Sequence, residues 1–250
     1  MTRQRVIITG GAGDIGSGMG ARLALDGFAV TLVDARVPHN ESAFLASLGG
    51  ESKQISFRKA DVRNRPEIDA ILSEFISDTT IVIANAGIVK SAPFLKITTE
   101  QWHEHLDINL TGVFNTLQSA ARLFASEKKK GHIILIGSWV GKVPWPEIAA
   151  YSVTKAGIEM LAKSAARELA PQGIRVNVIA PGIVRAGLAK HQLETEPQYA
   201  KRVAKVIPLG NLQTVEQVAA VASFLCSDGG NYFTGSTLLA DGGASLFQFD

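Results

Sequence analysis

RVIITGGAGDIGSGMGARLALDGFAVTLVDAR, residues 5–36, is the stretch whose reading decides the fold. Residues 6–9 form a short apolar, β-branched run, the mark of a buried parallel strand. A glycine-rich turn follows, with Gly10, Gly11, Gly13 and Gly16, and then a helical pattern through Met19, Leu23 and Leu25. Residues 29–33 make a second strand, which ends in Asp34. Strand, glycine turn, helix, strand and terminal carboxylate together are the context of a dinucleotide fingerprint. Glycines let a backbone approach a pyrophosphate, and a helix N-terminus adds N–H groups and a positive dipole end. Gly10, Gly13, Asp14, Ile15 and Gly16 are therefore expected at the phosphates. Asp34 is expected to accept hydrogen bonds from the adenosine ribose, where a 2′-phosphate would be repelled, which predicts NAD rather than NADP.

Working outward, strand and helix patterns alternate to the end of the chain. Strands are predicted at 5–9, 29–34, 54–59, 80–84, 132–137, 174–180 and 236–240. Helices are predicted at 15–26, 41–48, 65–76, 99–126, 150–170 and 214–226. This alternation predicts an α/β fold: one Rossmann-like domain over 1–250, a doubly wound parallel sheet of seven strands with helices on both faces. The one long excursion, residues 183–207, is helical but polar and follows a strand at the edge where ligands bind in such sheets. It is expected to be a substrate lid.

Composition narrows the classes. With 250 residues, 46% of them hydrophobic, one chain can bury a large core. A net charge of +2 points to neither nucleic acid nor an acidic membrane surface. No apolar run approaches a membrane span, and the first apolar segment is the strand carrying the glycine turn, so a cytoplasmic protein without a signal peptide is expected. The single cysteine, Cys226, excludes an internal disulfide and reads as packing, and no metal site is expected.

The second informative motif is YSVTK, with Tyr151 and Lys155 four positions apart on one helix face. A nearby ammonium favours the phenolate and so lowers a tyrosine pKa, which makes Tyr151 a candidate general acid/base. Ser138 follows the strand HIILIG and stands at its C-terminal end, placed to orient a substrate oxygen with Tyr151.

With these motifs in order, the chain resembles the short-chain dehydrogenase/reductases, in the branch of about 250 residues. The resemblance runs from Arg5 to Gly243 through TGGAGDIG, Asp61-Val62, Asn85-Ala86-Gly87, Asn109, Ser138, Tyr151 with Lys155, Pro181-Gly182 and Asp241-Gly242-Gly243. It implies a nicotinamide-dependent oxidoreductase acting on an alcohol or carbonyl. It also implies that Lys155 bonds the nicotinamide ribose and that Asn109 holds a water relaying protons to Lys155. Asp61 and Val62 would meet the adenine, Asn85, Ala86 and Gly87 would let the adenosine half lie close, and Pro181, Gly182 and Val184 would meet the carboxamide side. A homotetramer is implied as well, with the helices at 99–126 and 150–170 packing against copies of themselves. Phe247 and Phe249 of the tail are expected to dock at a subunit interface.

Three residues depart from the family pattern. Asp14 replaces the usual middle glycine and is expected to point outward, toward the adenosine ribose. Ala186 stands where a threonine often contacts the cofactor, and Arg36 stands two residues beyond Asp34, where it could accommodate a 2′-phosphate. For the substrate, Trp139 and Trp145 are expected to line the pocket, with Arg185 and His191 of the lid recognising a polyol, sugar or hydroxy acid. The alternatives are a 3-oxoacyl thioester reductase and a catalytically idle NAD-binding relative.

Overall fold

The computed structural model describes residues 4–49 and 54–246. Phe247 and Phe249 lie outside the described residues. The seven strands are β1 (Arg5–Thr9), β2 (Ala29–Asp34), β3 (Ile55–Lys59), β4 (Thr79–Ala84), β5 (Gly131–Ile136), β6 (Ile174–Pro181) and β7 (Thr237–Ala240). All pair in parallel, in the order β3-β2-β1-β4-β5-β6-β7. The chain steps from β1 outward to β3, then returns to β4 on the other side of β1. Between β1 and β4 the winding reverses, which opens a crevice at their C-terminal ends.

Helices cover both faces, as β-branched strands with no polar side require. On one face Ile7, Val33, Val82, Ile133, Leu135 and Val176 pack under α3 (Arg65–Glu74), α5 (Gly112–Ser126) and α6 (Ala149–Leu169). On the other, Ile8, Val30, Leu32, Ile83 and Ile134 meet α1 (Asp14–Leu25) and α9 (Val215–Cys226). Neighbouring strand residues fall into opposite clusters, the period of two expected of strands. Helix α2 (Glu41–Ser47) sits against the β2–β3 edge. Cys226 packs at the second cluster, where burial pushes its thiol up to about 12.

One predicted helix is corrected. Residues 99–126 form α4 (Thr99–His105), a π-helical turn over Leu106–Thr111, and then α5. The turn contains Asn109, whose side-chain amide clasps the backbone of Ile88 through both its N–H and its carbonyl. Just beyond it, a Cβ on Gly112 would lie 2.5 Å from a Val62 methyl, so the helix and the end of β3 meet at glycine distance. The excursion 183–207 folds as α7 (Gly187–Thr195) and α8 (Pro197–Val206). Among the described residues, no helix is long and apolar enough to cross a membrane.

Candidate active site

A cleft of about 680 Å³ lies along the C-terminal ends of the strands, from Asp34 at one extreme to Tyr199 at the other. Its floor is the glycine turn. Gly10 has φ +66°, a left-handed conformation that glycine adopts without penalty. A Cβ on Gly16 would stand 2.2 Å from the Gly10 carbonyl oxygen, so helix and turn touch there. Asn85, at the end of β4, fixes the turn from the other side: its Nδ2 donates to the carbonyls of Thr9 and Gly10.

The residues present fit a dinucleotide. The N-terminus of α1 has no side-chain cap, and a Cβ on Gly13 would meet nothing nearer than 3.5 Å, so first-turn N–H groups face open space. Asp34 is buried at the end of β2, accepting from the N–H groups of Ala12 and Arg36. Arg36 reaches it at 3.7 Å but is itself largely exposed. Gly10, Gly13, Asp14, Ile15, Gly16, Asp61, Val62, Asn85, Ala86, Gly87, Pro181, Gly182 and Val184 all line the cleft. The carboxylate of Asp61 is engaged by Arg63, whose guanidinium holds it below the usual carboxylate range.

Asp14 is exposed, as expected of an outward-pointing carboxylate, and it has a partner that the sequence did not name. Its Oδ2 accepts, at 3.0 Å, from the N–H of Gly187, the first residue of α7. The carboxylate therefore ties the first turn of α1 to the first residue of α7. Ala186, beside it, caps α7 with backbone geometry alone.

Ser138, Tyr151 and Lys155 converge at the far half. Ser138 ends the loop after β5 and is buried, its Oγ accepting from the Val140 N–H at 3.4 Å. Ser138 and Tyr151 line the same stretch of the cleft, with the serine close enough to act on the phenol. The Lys155 ammonium donates to the Ile136 carbonyl at 2.7 Å and lies 5.3 Å from the centre of the Tyr151 ring. Here the expected electrostatics are overturned. Burial pushes Tyr151 up to about 12, against the smaller opposing effect of the Ser138 hydrogen bond. Burial also pulls Lys155 down to about 8. In the cofactor-free chain desolvation outweighs the ammonium, which is turned to the end of β5.

Asn109 does not line the cleft; it is fully buried behind it, its side chain bonded to Ile88 and, at 3.4 Å, to Thr154 Oγ1. Two residues expected at the substrate pocket lie elsewhere. Arg185 and His191 are exposed and do not line the cleft. Helix α7 turns Gln192 inward instead, and α8 contributes Tyr199, which the sequence reading missed. Trp139 and Trp145 do line it, edge to face at 5.2 Å, and Trp145 meets Tyr199 the same way at 6.5 Å. The signal for Tyr199 was an aromatic on the apolar stripe that Val203 and Val206 continue along α8.

Comparison with known proteins agrees with this geometry. A family model described as enoyl-(acyl carrier protein) reductase matches residues 10–245. A 3β-hydroxysteroid dehydrogenase of Eggerthella lenta is 34% identical, the match covering 98% of this chain and 95% of the relative. An L-2,3-butanediol dehydrogenase of Corynebacterium glutamicum is also 34% identical, over 95% of this chain and 96% of the relative. Among solved structures, a putative 2-deoxy-D-gluconate 3-dehydrogenase from Agrobacterium tumefaciens with bound NADP superposes with a TM-score of 0.88. It is 27% identical and covers 98% of this chain and 97% of its own.

Proposed function

The chain belongs to the short-chain dehydrogenase/reductase family and is an oxidoreductase acting on CH–OH groups, and from that premise we propose an NAD-dependent interconversion of a secondary alcohol and its ketone. The observation that carries this reading is the convergence of Ser138, Tyr151 and Lys155 in the same cleft as the uncapped α1 terminus and the buried Asp34. Ser138 orients the substrate oxygen, and Tyr151 holds the proton that passes to it on reduction or is taken from it on oxidation. With its pKa near 12, Tyr151 keeps that proton in the cofactor-free chain, which suits the donor role. Lys155, cationic below about pH 8, stabilises the phenolate left behind. When bound, the nicotinamide supplies the hydride acceptor or donor. Asn109 acts as a positioning residue, fixing the loop after β4 through Ile88.

NAD is favoured by the carboxylate of Asp34 at the end of β2. Arg36 keeps a second reading, NADP, in play, since its exposed guanidinium stands beside Asp34 and one structural neighbour carries NADP. The reading of a polyol, sugar or hydroxy acid drew on an NAD preference and a polar lid, and of the lid residues named for it Arg185 and His191 are exposed and do not line the cleft. The 183–207 excursion serves as the lid, and the assembly is a homotetramer. The test is steady-state kinetics with both cofactors on wild type and Tyr151→Phe. The expected result is a higher kcat/KM with NAD and a loss of roughly 10²–10⁴-fold in kcat in the variant. Near-normal turnover by Tyr151→Phe would end the assignment, and an NADP preference would reverse the weighing of Asp34 against Arg36.

A further inference from the structure

Beyond Ser138 and Tyr151 the cleft changes character. Its walls become Trp139, Trp145, Ile148, Ile183 and Tyr199. These side chains belong to a third apolar cluster, separate from the two sheet cores, which joins the loop after β5 to α7 and α8. Arg202 reinforces it from α8, its guanidinium 5.2 Å from the Trp145 ring centre and 5.7 Å from that of Tyr199. Arg202 itself does not line the cleft. It is a cation spent on holding two rings in place.

Among the described residues, two cationic side chains line this end of the cleft, and each already has an acceptor. Lys155 donates to Ile136 and Lys90 is ion-paired with Glu104. Burial raises the pKa of the Tyr199 hydroxyl, so it stays neutral. One further polar side chain faces inward, the buried Gln192, whose Nε2 bonds Glu196 at 3.3 Å. A carboxylate, phosphate or polyhydroxylated chain placed here would lose its hydration without matched partners. An apolar ring would gain contact with indole and phenol faces instead.

We propose that this site selects a neutral alcohol or ketone carried on an apolar ring system. The ring body packs into the corner made by Trp139, Trp145 and Tyr199, and the Gln192 carboxamide reads a single hydrogen-bonding group at its far side. Tyr199 and Trp145 are then the specificity-determining residues, and Arg202 is a positioning residue acting through both. This inference rests on the dehydrogenase reading and deepens it.

The test uses the full chain with two readouts. Reduction of trans-1-decalone, 2-butanone, acetoacetate and fructose is followed with NADH, and decalone binding is measured by calorimetry on protein saturated with NAD. The expected kcat/KM for decalone exceeds each of the others by at least tenfold. Tyr199→Ala is expected to cut the decalone-to-butanone ratio at least tenfold, mainly through KM, and to weaken decalone binding similarly. Tyr199→Phe, which keeps the ring, restores both. A preference for acetoacetate or fructose would overturn the proposal, most directly if Arg202→Met abolished the acetoacetate activity. So would a Tyr199→Ala variant with an unchanged ratio and unchanged decalone affinity. Failure of the reaction reading looks different: Tyr151→Phe would keep its turnover while decalone still bound in a Tyr199-dependent way.

Discussion

The most consequential residues are two whose ionisation is set by burial. Tyr151 is raised to about 12 and Lys155 lowered to about 8, so burial shifts each toward its neutral form while Lys155 stays mostly cationic at neutral pH. An ultraviolet titration should therefore show a late tyrosine ionisation near pH 12, and Tyr151→Phe should reduce that late step. A late step that survived the substitution would belong to another tyrosine. For Lys155 the folded value lies below the ordinary 10.5, so the folded state binds fewer protons between about pH 8 and 10.5. Stability from this group therefore rises with pH across that window, and Lys155→Met should remove its share of the rise, read from urea midpoints. The identities of these residues were legible in the sequence, because a four-residue spacing on a helix is local information. Their ionisation was not, since it depends on how deeply packing buries them. Tyr199 was missed for a related reason. Its partners Trp139 and Trp145 lie more than fifty residues away, and nothing local says which face of a polar helix will meet them.

At the scale of elements, strand patterns were the most legible feature, because buried parallel strands are runs of β-branched residues wherever they occur. The π-helical turn at Leu106–Thr111 was not, since it depends on Asn109 reaching Ile88 on another element. Nor was the bond between Asp14 and the first N–H of α7, which joins residues far apart in sequence. That bond gives opposite expectations for two substitutions. Asp14→Asn removes a negative charge beside the phosphate cradle but keeps an acceptor for Gly187, so NADH should bind more tightly with substrate KM held. Asp14→Gly removes both, and losing a cap worth about 1 kcal/mol should raise substrate KM roughly fivefold. Equal KM values in the two variants would show that the bond does not hold the lid. A second joint ties β5 to β6. His132 is buried, and Asn177 Nδ2 donates to its Nε2 and to the Phe233 carbonyl, which fixes the ring as neutral. Burial, with Arg175 nearby, pulls His132 down to about 3. The folded chain thus binds fewer protons than the unfolded one between about pH 3 and 6.5, so this stability is present above that window and lost as pH falls through it. The loss should be about 2 kcal/mol between pH 7 and pH 5. His132→Asn should flatten the acid limb of a urea-midpoint profile, and an unchanged limb would place the sensitivity elsewhere.

At the scale of the whole molecule, exposed apolar side chains are scattered over the described surface, Leu25, Phe94, Leu95 and Leu209 among them, and two sets bear on the proposed assembly. On α5 and α6, Phe114, Val153 and Met160 are exposed, with Val153 and Met160 seven residues apart on one stripe. At the far edge of the sheet, Phe224 of α9, Leu239 of β7 and the fully exposed Tyr232 form the second. Strand β7 is also an edge, with no strand paired on its outer side among the described residues. Scattered apolar residues need no explanation, and the proposed homotetramer would place one set, along the helices, and the other, at the sheet edge, in its two interfaces. Each generates one two-fold axis, and two perpendicular axes close a tetramer. The expected outcome is a tetramer in sedimentation equilibrium at micromolar concentration. Met160→Glu buries a charge in the helical interface only, so it should split the tetramer into dimers that retain the sheet-edge contact. Tyr232→Glu should yield dimers of the other kind, and the double variant monomers. A wild-type monomer would refute the assembly. A tetramer that survived both single substitutions would show that its interfaces lie on neither of these faces.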